Sequence, residues 1–208
     1  MLEAGPGATP HPGSQVLLEK RFPDYEAFRQ RGGLRSTVLD KPIVYYDGGA
    51  FPFRDGEFDY VICSHVLEHV DNPQEFLQEL VRVASRGYLE FPTVLYEYLY
   101  NFDEHLNLLG HRDRELLWMP KSETGLRKFQ AIHQFLRKTL ESGYDEMIKA
   151  MKEQFFIGFE WNGAIILRRV SEIEELIPDW NEIPVRVGAP ERRSVLDRAR
   201  NFWARLRG

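Results

Sequence analysis

Asp47-Gly48-Gly49-Ala50-Phe51-Pro52-Phe53-Arg54-Asp55-Gly56-Glu57-Phe58-Asp59-Tyr60-Val61-Ile62-Cys63-Ser64-His65-Val66-Leu67-Glu68-His69-Val70 is the stretch whose reading decides the fold. It reads as the end of a buried strand carrying a carboxylate, then a loop with apolar anchors at Phe51 and Phe53. A second strand, Phe58 to Cys63, runs straight into a helix. That strand is apolar almost without interruption, the pattern of a strand covered on both faces. The layout is that of an open α/β sheet, in which parallel strands deliver their last side chains to a ligand crevice at their carboxyl ends.

The flanking sequence continues the alternation. Pro42 to Tyr46 is rich in β-branched and aromatic residues and reads as the strand leading to Asp47. Asp71-Asn72-Pro73 caps a helix, with proline in the first turn where no amide donor is lost. Phe76, Leu77, Leu80, Val81, Val83 and Ala84 then recur at helical spacing, so one face of this helix packs on the sheet. Tyr88 to Thr93 is the next strand, and Pro92 limits its hydrogen-bonded part.

At the amino end, Met1 to Gly7 is a very short apolar strand ending in a carboxylate and two glycines, Glu3, Gly5 and Gly7. A dinucleotide fingerprint fits poorly, because its third glycine would fall on Pro10. Pro6, Pro10, Pro12 and Gly13 block a helix at the place of the first crossover. Gln15 to Glu19 already reads as a strand, so that crossover helix is expected to be missing or reduced to a loop. Phe22 to Gly33 reads as a short irregular helix ending at Gly32-Gly33.

These residues together resemble class I S-adenosylmethionine-dependent methyltransferases, in the type 11-like branch. Its members carry an acid, then Leu/Phe-Pro-Phe, an Asp, Phe-Asp-x-Val and a Leu-Glu-His-Val helix; the likeness covers the chain to about Thr93. The resemblance implies a Rossmann-like doubly wound sheet, mostly parallel, with S-adenosylmethionine as cofactor. It further implies that Glu3 helps hold the cofactor ammonium, that Gly5 and Gly7 let the backbone approach, and that Glu19 takes the ribose hydroxyls. By the same likeness Asp47 and Gly48 face the adenine, with Phe51 or Phe53 as an apolar contact. Ser64 and His65 fall where a methyl acceptor would lie.

Composition bounds the remaining classes. A chain of 208 residues holds one sizeable core, and about 150 residues per domain favours one domain with additions. The net charge of −5 is mild, so bulk charge asks for no nucleic-acid partner. The single cysteine, Cys63, excludes a disulfide framework and a multi-cysteine zinc site; it suits a reducing cytoplasm and reads as core. No apolar run of about 18 residues and no charged-then-apolar leader is present, so a soluble, cytoplasmic protein is expected. His65 and His69 share a helix face and have the spacing of a metal pair, but no third ligand stands at a recognisable distance, so no metal is expected.

Beyond Thr93 the cofactor signature ends. Tyr96, Tyr98, Tyr100, Phe102 and His105 form an aromatic stretch that either buries its tyrosines in a connection or builds an acceptor pocket. Leu106–Leu109 and Glu115–Met119 read as a hairpin around His111 to Arg114. Leu126, Phe129, Ile132, Leu136 and Leu140 mark an amphipathic helix ended by Gly143, with a second helix from Tyr144 to Gln154. Asn162-Gly163 inside Phe155 to Val170 predicts a tight hairpin that closes the sheet as an antiparallel pair. Pro190 to Gly208 holds six arginines against Glu191 and Asp197, a formal +4 that leaves −9 on the rest. This basic helix with an apolar stripe could pack on its own domain, or contact a membrane surface or a protein.

The organisation expected is a methyltransferase-like domain over 1–188, its cofactor half at about 1–93 and its acceptor half at about 94–188, followed by the tail helix at 189–208. The function expected is methyl transfer to an oxygen or nitrogen of a small molecule or glycan, with His65 and then His105 as candidate bases. The alternative is a non-catalytic module of the same fold that binds a protein partner, favoured by the missing first helix and by a chain that begins inside its first strand.

Overall fold

In the computed structural model, residues 1–26 and 41–178 are described. Five parallel strands and one antiparallel strand make the main sheet: β1 (Leu2–Ala4), β2 (Val16–Lys20), β3 (Ile43–Tyr46), β4 (Val61–Ser64), β5 (Arg86–Pro92) and β8 (Phe156–Asn162), in the spatial order β3-β2-β1-β4-β5-β8. The order reverses at β1, between β2 and β4, which is where a doubly wound sheet opens its crevice.

Register sorts the side chains onto two faces. Ala4, Leu18, Cys63 and Leu89 lie level on one face, while Glu3, Leu17, Ile62 and Tyr88 lie level on the other. Helix α1 (Pro73–Val83) is capped by Asn72, whose side chain accepts from the Glu75 amide, and buries Phe76, Leu77, Leu80 and Val83 in the same core as Ala4, Leu18 and Cys63. Full burial of such side chains is worth about 1.5–3 kcal/mol each. Cys63 is completely buried there, and desolvation raises its thiol pKa, as suits a core residue.

The opposite face lacks the usual first crossover helix. Residues 5–15 form only turns and bends, as the prolines dictate. The connection is fastened by Glu3, whose carboxylate accepts from the His11 amide at 2.9 Å and the Ser14 hydroxyl at 2.5 Å.

A second sheet holds β6 (Asn107–Arg112), β7 (Glu115–Pro120) and β9 (Ile166–Arg169). β6 and β7 form the expected hairpin, turned by Asp113 and Arg114 with φ of 52° and 66°. The hairpin predicted at Asn162-Gly163 does not form. Gly163 turns the chain with φ of 79°, but β8 pairs antiparallel with β5 while β9 crosses to pair in parallel with β7. Two sheet edges are available to these strands, and each takes one.

Helix α2 (Val94–Tyr100) follows β5, and its Tyr100 packs with Ile148 and Phe155 in a satellite core. Leu126 to Phe129 is a 3₁₀ turn leading into α3 (Gln130–Thr139), and Gly143 breaks the helix with φ of 100°. The stripe read from sequence is only partly buried: Phe129 and Ile132 face solvent, whereas His133 is buried against Asn101. No helix among the described residues is long and apolar enough to cross a membrane. The tail at 189–208 and most of the helix expected before Gly33 lie outside the described residues.

Candidate functional site

At the carboxyl ends of β1, β2 and β4 the sheet opens into a crevice lined by Gly5, Gly7, Glu19, Tyr46, His69 and Phe76, among others. Gly5 and Gly7 have φ of 66° and 60°, in the left-handed region that glycine enters without steric cost. A Cβ on Gly5 would lie 2.3 Å from Val66 Cγ2, so the loop and the turn after β4 can approach only because no side chain is there. Above Gly7 a Cβ would meet nothing within 4 Å, so that side of the loop is open to a ligand.

The sequence-predicted residues divide. Gly5, Gly7 and Glu19 line the crevice. Glu3 does not; it lies on the opposite face of β1 and its carboxylate is spent on the His11 and Ser14 bonds. Asp47 is turned outward, 84% exposed, and bonds Arg21 Nε at 3.1 Å, with Gly48 exposed beside it. Phe51 is core rather than crevice wall, edge-on to Tyr46 and Phe76 at 5.3 Å each. Arg82 and Glu79 hold it there: the Arg82 guanidinium donates to the Phe51 and Phe53 carbonyls, and Glu79 accepts from the Phe51 amide. Phe22, Tyr46 and Phe76 supply the aromatic lining instead, and nothing in their spacing marked them. Ser64 also faces the other side, donating to Glu90 at 3.1 Å.

His65 stands at the mouth of the crevice with φ of 55°, its ring edge-on to Phe156. Its Nδ1 lies 3.4 Å from Glu68 Oε1 and its Nε2 3.2 Å from Glu90 Oε1. Burial opposes protonation, but the two carboxylates outweigh it and push the pKa up to about 9. Glu90 is in turn held well below the usual carboxylate range by His65, against burial, with Tyr88 and Lys152 adding to the effect. The two carboxylates thus favour the protonated ring at neutral pH, with each ring nitrogen in ion-pair range of one of them. The base expected at this position is corrected accordingly: the residue is an ion-pair link between two carboxylates.

One turn further, the 3₁₀ segment Leu67–His69 carries Glu68 and His69. Glu68 is completely buried; burial raises its pKa, yet the neighbouring imidazoles bring it below the ordinary value. His69 Nδ1 bonds the Glu104 carbonyl at 3.0 Å, and desolvation lowers its pKa, favouring the neutral ring. His105 is brought against it, ring centroids 4.6 Å apart and nearly perpendicular. The juxtaposition is enforced by backbone bonds: Leu106 donates to the Glu68 carbonyl at 2.7 Å, and Asn107 Nδ2 donates to Val70 O at 2.7 Å and Leu67 O at 3.3 Å. His105 Nδ1 is paired with Glu97, whose other oxygen takes Lys121 Nζ at 3.2 Å. His105 also borders a second, polar pocket with Asp71, Asn107, Trp118, Lys121 and Gln130.

Against known proteins, residues 25–90 match the family model described as a methyltransferase domain. That match spans about a third of the chain, from ahead of β3 into β5, and takes in part of the crevice lining. The chain is 34% identical over 92 residues to a ubiquinone biosynthesis O-methyltransferase of Rickettsia bellii, covering 41% of this chain and 36% of that one. It is 32% identical over 59 residues to norajmaline N-methyltransferase of Rauvolfia serpentina, covering 27% and 20%. Among solved structures, an S-adenosylmethionine-dependent methyltransferase from Mesorhizobium loti aligns with a TM-score of 0.33 at 16% identity, over 58% of this chain and 56% of that one. The chain spans between about a fifth and a third of the length of these curated relatives.

The lining of the crevice fits S-adenosylmethionine, the cofactor that the resemblance implies. Gly5 and Gly7 leave the loop backbone accessible, Glu19 offers a carboxylate at the end of β2, and Leu18, Tyr46 and Phe76 make an apolar wall. Asp47, expected from the resemblance to face the adenine, is turned outward and paired with Arg21 instead.

Proposed function

We propose that this chain transfers the methyl group of S-adenosylmethionine to an oxygen or nitrogen of a small molecule or glycan. The observation that supports this best is the His69–His105 pair, which joins the crevice, lined in part by His69, to the polar pocket, lined in part by His105. A bound cofactor supplies a methyl group on a sulfonium, already an excellent leaving group. The chain's own tasks are then orientation, exclusion of water and proton removal, and orientation alone can contribute about 7 kcal/mol or more.

Gly5, Gly7 and Glu19 fix one partner's place, and the apolar wall excludes water. Asp71, Asn107, Trp118 and Gln130 offer hydrogen bonds and an aromatic surface to the other partner, a lining suited to a polyhydroxylated acceptor. A proton shed by the acceptor passes to the histidine pair, with His105 oriented by Glu97.

A second reading, a binding module without catalysis, draws on Asp47, which pairs with Arg21 instead of facing the crevice. Calorimetric titration with S-adenosylmethionine and S-adenosylhomocysteine separates the two. Saturable binding of both, followed by methyl transfer to a sugar or phenol, supports the enzyme; no binding of either supports the module.

A further inference from the structure

We infer that Glu68, His69 and His105 form a binding site for a divalent transition cation between the crevice, which His69 lines, and the polar pocket, which His105 lines. One donor atom from each of the three lies within 4.8 Å of the other two. An ion bound by nitrogen and oxygen at about 2.1 Å holds its donors roughly 3–4 Å apart, so closing on a cation takes side-chain shifts on the order of 1 Å. Two imidazoles and one carboxylate suit Zn²⁺, Mn²⁺ or Fe²⁺ rather than Mg²⁺ or Ca²⁺, which prefer all-oxygen shells.

Glu68 gives the independent indication. It is completely buried, yet neither carboxylate oxygen accepts a hydrogen bond. Among the described residues, the imidazole nitrogens His65 Nδ1 at 3.4 Å and His69 Nε2 at 3.9 Å lie in ion-pair range of it without making a hydrogen bond. His65 compensates part of the buried charge as an ion pair, but both carboxylate oxygens still lack a bonded donor, and a coordinated cation would supply that missing bond.

The surrounding shell is arranged as ligating histidines require. His69 Nδ1 is fixed by the Glu104 carbonyl, which leaves Nε2 to bind, and His105 Nδ1 is fixed by the Glu97 carboxylate, which leaves its Nε2 likewise. Such outer partners set the tautomer and raise ligand basicity. Lys121 balances Glu97 on its far side, so Glu97 is not drawn into the cluster. Three protein ligands leave coordination positions for water or an acceptor oxygen. Resting on the methyl-transfer reading, a hydroxyl bound there would be acidified by the cation, which takes over the proton-removing task from the free histidines.

The test is isothermal titration of the chelator-stripped full chain with Zn²⁺, Mn²⁺ and Mg²⁺ separately, without cofactor. One site per chain is expected for a transition cation, weakened at least tenfold by Glu68→Gln and by His105→Asn, and unchanged by His111→Gln, a histidine outside the cluster. Zn²⁺ should also raise the melting temperature of the parent and not of the two ligand variants, with circular dichroism confirming that both fold. Should a ligand variant fail to fold, Glu97→Gln, which removes only the outer partner, is expected to weaken the cation by about tenfold or more. Absence of a transition-cation site in the parent, or equal affinity in Glu68→Gln and His105→Asn, overturns the proposal. Cation binding without S-adenosylhomocysteine binding would keep this site and end the methyl-transfer reading, while the reverse result would end this site alone.

Discussion

Replacing Asn107 by leucine removes both side-chain donors that tie the Leu67–His69 turn to β6. Leucine keeps the branched skeleton and the number of heavy atoms but has bulkier methyl ends, so some packing strain adds to the loss of the hydrogen bonds. Asn107 is 4% exposed, and it donates to Val70 O at 2.7 Å and to Leu67 O at 3.3 Å, the second bond wholly buried. Leaving a buried acceptor unpaired costs about 1–3 kcal/mol, so the two together should cost about 2–4 kcal/mol, with the longer bond giving the smaller share. For a chain of this size that corresponds to a fall of roughly 4–16 °C in melting temperature. Because the same turn carries Glu68 and His69, Zn²⁺ affinity should fall in parallel. Thermal and urea denaturation of parent and Asn107→Leu, each with a Zn²⁺ titration, make the measurement. A melting temperature lowered by less than about 2 °C would refute the claim that these bonds fasten the turn.

Two further outcomes are expected. Glu19→Ala should weaken S-adenosylhomocysteine binding by roughly 10-fold to 150-fold, the loss of a charged hydrogen-bonding partner, whereas Asp47→Ala, whose carboxylate is exposed and paired with Arg21, should change it little; equal losses in calorimetry would place Asp47 in the crevice after all. Glu79 is held below the ordinary carboxylate pKa by Arg82, so its contribution to stability is present above the unfolded value near 4.5 and is lost as pH falls through the folded one; Glu79→Gln should therefore melt below the parent near neutral pH with the gap shrinking in acid, and a gap independent of pH would contradict the linkage.

Much of the fold up to β5 was legible because its signals are local. A run such as Tyr60 to Cys63 is apolar at successive positions, and only a strand buried on both faces tolerates that. The prolines after Gly5 forbid a helix whatever else the chain does, and no helix forms there. Asp113-Arg114 was placed in a hairpin tip by the apolar runs on either side, and both residues take the left-handed conformation. The errors were of another kind. Asn162-Gly163 correctly marked a reversal, but turn chemistry says nothing about which sheet edge the next strand joins.

The site shows the same division. The sequence by itself determined the α/β class, the glycine loop after β1 and the carboxylate at the end of β2, since each depends on a residue's own conformation or on neighbours within a few positions. Tertiary structure alone decided where the other charges point. Glu3 was drawn to an amide and a hydroxyl of the connection that replaces a helix, Asp47 to Arg21, and His65 between two carboxylates that raise its pKa. The third member of the histidine cluster was not recognisable from spacing because His105 lies in another element, and its place beside His69 is set by Asn107 and the Leu106 amide bonding the turn after β4. Hydrogen bonds between elements distant in sequence leave no periodic trace in it, so a side chain's address is encoded locally while its partners are chosen by packing.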